Sequence, residues 1–170
     1  MAFGERLRTD YYDHLADFVN GIKLIDKEEF YQMHADFLSR LAMTFTHGDY
    51  ARIEEIKEKE DIAEGLYKKA LTYHPDHRAY LGLGIIAQKK GAYEASAEIL
   101  SKGIGYFPDS EPLSICLAIS FMNLGEYAKA LSIFLKFQDS QQTPSYIGQC
   151  YHALGEFEKE TEIFKKLDSP

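Results

Sequence analysis

No stretch of the 170 residues approaches the ~18 consecutive apolar positions that a membrane-crossing helix needs. The opening "MAFGERLRTD" meets charge too early for a secretory signal. Membrane insertion is therefore not expected, and a cytoplasmic location is. Cysteine is scarce: Cys116 and Cys150 alone make neither a disulfide framework nor a close metal pair. Free, buried thiols in a reducing compartment are the expectation. Basic residues are outnumbered, with 19 Lys and Arg against 27 Asp and Glu and a net charge of -8. That balance argues against nucleic acid as the main ligand, because phosphate binding rests on clustered Lys and Arg. Most of the cations alternate with acids, as in "RIEEIKEKEDIAEGLYKK", which describes a solvated helix face.

Signatures of catalysis are missing too. There is no G-x4-G-K-[ST], H-E-x-x-H, G-x-S-x-G or C-x-x-C. Carboxylates are spread so evenly that they single out no acid-base pair. Of the histidines only His74 and His77 lie close together, around Asp76 in "HPDH". Catalytic zinc normally takes three protein ligands, so turn-forming and capping roles are expected there instead. The sequence thus reads as a non-enzyme with no cofactor and no metal.

What it does have is the material of a folded chain: 45% hydrophobic and 14% aromatic residues, enough for one compact domain with a substantial core. It also repeats itself. "GAYEASAEIL" from Gly91, "GEYAKALSIF" from Gly125 and "GEFEKETEIF" from Gly155 are near-copies, 34 and then 30 residues apart. The shorter second step predicts a shortened last connection between repeats. Each glycine stands where one helix would stop and the chain turn into the next, since glycine takes the left-handed cap conformation without a Cβ penalty. Tyr93, Tyr127 and Phe157 are expected to fill the wedge between paired helices. Gly84, Ala118, Gly148 and Ala130 let backbones approach where helices cross. "HPDH" at 74–77 and "FPDS" at 107–110 close one hairpin and open the next, with Asp as the expected N-cap.

In these positions the chain resembles the tetratricopeptide-repeat (TPR) family, whose pattern runs W-x2-L-G-x2-Y, A-x3-F, P with a period of 34. The first clear unit has Tyr80, Leu83, Gly84 and Ala87, then Ser96, Leu100 and Pro108. The next has Ser114, Leu117, Ala118 and Phe121, then Ala130 and Phe134, without the proline. The last has Pro144, Ile147, Gly148 and Tyr151, then Phe164, with Glu160 where a small residue is usual. The resemblance implies an all-α fold, a right-handed α-solenoid of TPR helical hairpins with an N-terminal helical extension. "GLGIIA" at 82–87 matches a loose dinucleotide fingerprint but falls mid-helix in the best repeat, where a packing role for Gly84 is expected.

The expected organisation is three parts. Residues 1–25 hold an amphipathic capping helix, with Tyr11, Leu15, Phe18 and Ile22 at helical spacing over 8–22. Residues 26–75 form a divergent hairpin. Its first helix begins at "DKEEF" and ends near His47, and its elongated second helix runs from about Asp49 to Tyr73. Residues 76–170 hold three TPR units, about 77–109, 110–141 and 142–168. The capping helix could instead plug the chain's own groove.

Function follows from the resemblance rather than from chemistry. In the family the first helix of each hairpin lines a concave groove that holds a peptide or helix. By register that line reads Leu81, Ile85 and Gln88, then Ile115, Ile119 and Met122, then Ser145, Gln149 and His152, flanked by Lys89 and Asn123. Each triplet has i, i+4, i+7 spacing and so shares one helical face. A mainly aliphatic line suits an amphipathic helix or an extended peptide of another protein. The expected role is a non-catalytic interaction module or scaffold, with weak homo-oligomerisation through the end hairpin as an added possibility. The alternative is a regulatory or accessory domain of a larger enzyme system that docks through the N-terminal helical region.

Overall fold

The computed structural model describes residues 27–46 and 53–167. Among them are eight α-helices and no strand. The chain divides between His74 and Pro75 into two compact units, not the one domain that its length suggested. The capping helix expected over residues 1–25 lies outside the described residues.

The first unit contains the hairpin of α1 (Lys27–Thr46) and α2 (Ile53–Tyr73). Ala35, Leu38 and Ala42 of α1 are buried, as are Ala63, Leu66, Tyr67 and Ala70 of α2. The i, i+3, i+4 spacing of these positions puts them on one stripe of each helix. His34 is buried as well, 4.2 Å from the Phe30 ring and 5.1 Å from that of Tyr73.

The second unit is three hairpins in sequence. They pair α3 (His77–Lys89) with α4 (Tyr93–Tyr106), α5 (Glu111–Asn123) with α6 (Tyr127–Phe134), and α7 (Thr143–Ala153) with α8 (Phe157–Leu167). Each helix packs on its neighbours in chain order, and α3 also packs on α5. The turn inside each hairpin is built the same way. Gly91, Gly125 and Gly155 have φ of +73°, +76° and +76°, the left-handed region that favours glycine. The residue after each glycine donates its N–H five residues back, Ala92 to Ala87 O, Glu126 to Phe121 O and Glu156 to Tyr151 O. These bonds satisfy carbonyls that a helix end would otherwise leave open. In the later two turns the following lysine closes the bend further. Lys129 pairs with Glu126 and lies 5.4 Å from the Phe121 ring, and Lys159 repeats this with Glu156 and Tyr151.

Small residues do what the pattern requires at the crossings. A Cβ on Gly84 would lie 2.6 Å from Leu100, and one on Gly148 2.7 Å from Phe164, so both hairpins close to a distance at which any larger residue would force its neighbour to move. Gly103 plays the same part again within the first hairpin, where a Cβ would come within 2.8 Å of Tyr80, and it also lies against the next, where the same Cβ would be 3.3 Å from Leu113. Asp76 caps α3 as expected, accepting from Ala79 N at 3.0 Å. At the next opening the cap is Ser110 rather than Asp109, and it also meets His77 Nε2 at 2.6 Å.

Two other details differ from expectation. The shorter second step is taken up in a helix and not in a connection. Helix α6 has 8 residues where α4 has 14, and it runs into a 3-10 turn at Leu135–Phe137. Thr143, fully buried, then ties down the link, its one hydroxyl proton shared between Phe137 O at 2.6 Å and Ser140 O at 3.0 Å. Phe157 fills no wedge: it is 59% exposed and stands edge-to-face with His152 at 5.5 Å.

Candidate functional site

The first helices of successive hairpins meet differently at the two junctions. Between α3 and α5 a polar clasp holds them together. Gln88 Nε2 donates to Cys116 O at 2.7 Å and to Ser120 Oγ at 2.8 Å. Ser96 Oγ of α4 lies 2.9 Å from both Gly84 O and Ser120 Oγ. All of these groups are partly or fully buried, so their hydrogen bonds avoid a desolvation cost as well as adding contact.

One repeat further on, the clasp has no counterpart. The position of Gln88 is Met122, while those of Cys116 and Ser120 are Tyr146 and Cys150. A thioether has no proton to give. Tyr146 turns inward to stack on Phe134 at 5.2 Å. Helices α5 and α7 make at most marginal contact, and an open depression of about 480 Å³ runs over the C-terminal half of α7. Ile119, Met122 and Asn123 bound it on one side and Glu160 and Phe164 of α8 on the other.

Of the residues expected along the groove, the depression gathers Ile119, Met122, Asn123, Gln149 and His152. Ile119 and Met122 lie against the core formed by Ala118, Ala130, Phe134, Ile147 and Cys150, with one side left accessible. Asn123 and Gln149 are exposed carboxamides at the edge. Their nitrogens bond only within their own helices, to Ile119 O at 2.8 Å and Ser145 Oγ at 3.4 Å. Ser145 is exposed but lines no part of the depression.

The others lie elsewhere. Ile115 is 8% exposed and belongs to the core instead of to a binding face. Gln88 is occupied in the clasp, which takes it out of the groove role expected for it. Leu81 is half-buried, Ile85 is exposed and Lys89 sits exposed at the end of α3, all outside the depression. Tyr127, Tyr146, Ala153, Glu160 and Phe164 line it without having been anticipated. One signal was in the sequence: Glu160 breaks the small-residue rule of its position, and a carboxylate there calls for a partner. It finds one in His152, whose Nδ1 is 3.2 and 3.1 Å from the two carboxylate oxygens.

The set is apolar and aromatic with a carboxamide edge and one histidine–carboxylate contact. Burial pushes the Cys116 and Cys150 thiols up to about 11, so both stay protonated at neutral pH and neither is a ready nucleophile. Among the described residues no three His, Cys, Asp or Glu side chains converge to hold a metal ion. None of the described helices is long and apolar enough to cross a membrane.

This hairpin architecture defines a class of protein, the TPR-type helical repeat. Solved structures similar to it include several of MamA. A crystal structure of MamA protein matches with a TM-score of 0.64 at 18% identity over 96% of this chain and 85% of that one. MamA AMB-1 gives 0.61 at 18% identity, covering 78% and 76%, and MamA MSR-1 gives 0.58 at 19%, covering 79% and 73%. No protein-family model and no curated protein matches the sequence. At such identities the likeness establishes the fold.

Proposed function

We propose that the chain is a non-catalytic, cytoplasmic protein-interaction module that holds an amphipathic helix or extended peptide of another protein across α7. Apolar side chains of the partner enter the depression, and Asn123 and Gln149 meet its polar groups. The observation that carries this reading is the parting of α5 from α7 where Met122 replaces the clasp glutamine. It leaves apolar surface accessible beside the core. Each apolar side chain fully buried there contributes ~1.5–3 kcal/mol, so two or three anchors give modest affinity after association costs. Protein is the fitting class of partner because the lining offers no cationic cluster for phosphate.

The test compares wild type with Met122→Glu and Gln149→Arg in affinity capture from the native source, with circular dichroism and melting confirming the fold. Both variants lose the proteins that wild type retains. Undiminished retention by two folded variants overturns the proposal.

One observation favours docking through the N-terminal helical region as well. Met33 and Phe37, one turn apart on α1, are 49% and 40% exposed. If that face docks a catalytic neighbour, Met33→Glu with Phe37→Glu releases an enzyme from the captured set and Gln149→Arg does not.

A further inference from the structure

We propose that residues 8–22 of the chain itself lie as a helix antiparallel to α1 and cover Met33 and Phe37, so that a partner reaches this face only by displacing them. The inference is independent of the depression over α7. It concerns the face of α1 considered for docking a catalytic neighbour.

Helix α1 carries two apolar stripes. Ala35, Leu38 and Ala42 form the buried one. Phe30, Met33, Phe37 and Leu41 form the other, roughly a third of a turn away at 3.6 residues per turn. In this second stripe Phe30 and Leu41 are half-buried, while Met33 is 49% and Phe37 40% exposed. A helix that is apolar on two faces is made to be covered twice. Among the described residues of the first unit, α2 is the one other helix.

The later hairpins show the use of the second face. Ala42 stands in the repeat where Ala118 and Gly148 stand, and the residues five places before these are Phe37, Leu113 and Thr143. Leu113 and Thr143 are each 0% exposed, and in both cases the chain just ahead of the helix reaches them. A Cβ on Gly103 of α4 would be 3.3 Å from Leu113, and the Thr143 hydroxyl is held by Phe137 O and Ser140 O. The same place in α1 is therefore where preceding chain belongs.

The preceding chain has the matching surface. Of the 26 residues before Lys27, Tyr11, Leu15, Phe18 and Ile22 share one side of a helix, and Asp10, Asp13 and Asp17 fall on the other. From Tyr11 to Ile22 and from Phe30 to Leu41 the two stripes have the same length, roughly 17 Å of helix. Run antiparallel, Ile22 meets Phe30, Phe18 meets Met33, Leu15 meets Phe37 and Tyr11 meets Leu41. Only residues 23–26 separate this stripe from α1, a link of the length that joins antiparallel neighbours. So short a tether keeps the segment at high local concentration, which favours it over a second copy or an unrelated protein.

The test uses the full chain. Leu15→Cys with Phe37→Cys is treated with a short bis-maleimide, beside Asp13→Cys with Phe37→Cys, whose first thiol is on the outward side. The native Cys116 and Cys150 thiols are buried and pushed up to about 11, so they react slowly and the parent chain gives the background. The first pair is expected to link within one chain about ten-fold faster than the second. Hydrogen exchange is expected to show the amides of residues 11–22 protected roughly ten-fold or more over a free peptide of residues 1–26. Met33→Glu with Phe37→Glu abolishes that protection and leaves α3 and α5 protected. Linking between chains, equal rates for the two pairs, or protection of residues 11–22 that survives Met33→Glu with Phe37→Glu overturns the proposal. An enzyme released from the captured set by the same double variant bears on docking and the exchange pattern on the cover, so the two readings fail separately.

Discussion

Adding one methyl group to each of two equivalent glycines should have opposite effects on stability. Gly84 and Gly148 occupy the same register position, and a Cβ on either would come impossibly close to a neighbour. At Gly84 the neighbour is Leu100, met at Cδ2, Cγ and Cδ1 at 2.6, 2.7 and 3.0 Å. Leu100 is 0% exposed, so it has nowhere to go. Overpacking of this kind costs ~1–3 kcal/mol, against which alanine in a helix recovers only ~1 kcal/mol over glycine. With three Leu100 atoms this close the cost lies in the upper half of that range, ~2–3 kcal/mol, and the net result for Gly84→Ala is a loss of ~1–2 kcal/mol. At Gly148 the clash is with the tip of the Phe164 ring, 2.7 Å from Cζ, and that ring is 38% exposed. It can swing outward at the cost of some burial, which leaves Gly148→Ala between neutral and ~1 kcal/mol more stable. Urea unfolding reads the difference directly: a gap of ~2 kcal/mol separates the midpoints by roughly 1 M at ordinary slopes. The reasoning is refuted if Gly84→Ala is as stable as wild type, or if Gly148→Ala proves the more damaging change.

Two further outcomes follow. Gln88→Ala removes both clasp donors while leaving Ser120 bonded to Ser96 and to Cys116 O, and should lower stability by ~1–2 kcal/mol in the same assay; no loss would show that the clasp does not hold α5. Burial lowers the His34 pKa below its ordinary value of 6.5, so as pH falls through that value the unfolded chain takes the proton first and stability declines until the folded-state pKa is reached. Melting between pH 7.5 and 5.5 should therefore fall more steeply in wild type than in His34→Phe, and parallel slopes would exclude His34 as the cause.

The hairpins were legible in the sequence because they rest on local and repeated physics. The three glycines announce their positive φ by type, and Gly84 with Leu100 and Gly148 with Phe164 keep a fixed spacing that a crossing demands. The break within the second repeat was only half legible. A step of 30 instead of 34 showed that a turn of helix was missing, but whether α6 or its connection lost it depended on Thr143 anchoring the link. The binding line was least legible. Helical spacing puts Ile115, Ile119 and Met122 on one stripe, yet a stripe has width. The neighbouring hairpin buries Ile115 and leaves Met122 at an edge. Nothing within α5 alone distinguishes the two, because the covering surface comes from α6 and α7.

A repeat gives the fold its regularity, so function has to be sought where the repeat is broken. The position held by Gln88, Met122 and His152 makes this concrete. Glutamine has both a donor and an acceptor, and it draws α5 against α3. Methionine at the same place fills space but offers no hydrogen bond, and the junction relaxes into a depression with an accessible apolar floor. Histidine at the last place is turned to Glu160, beside Phe164, whose counterparts Leu100 and Phe134 are fully buried. The three hairpins share one backbone design, and this single position sets the first junction as closed and the second as parted. If that is correct, Met122→Gln should close the second junction: donors would again reach toward α7, the depression would shrink, and stability would rise while partner capture fell. A Met122→Gln chain that melts at the wild-type temperature and captures the same proteins would mean that the short α6, and not the missing clasp, keeps α5 and α7 apart.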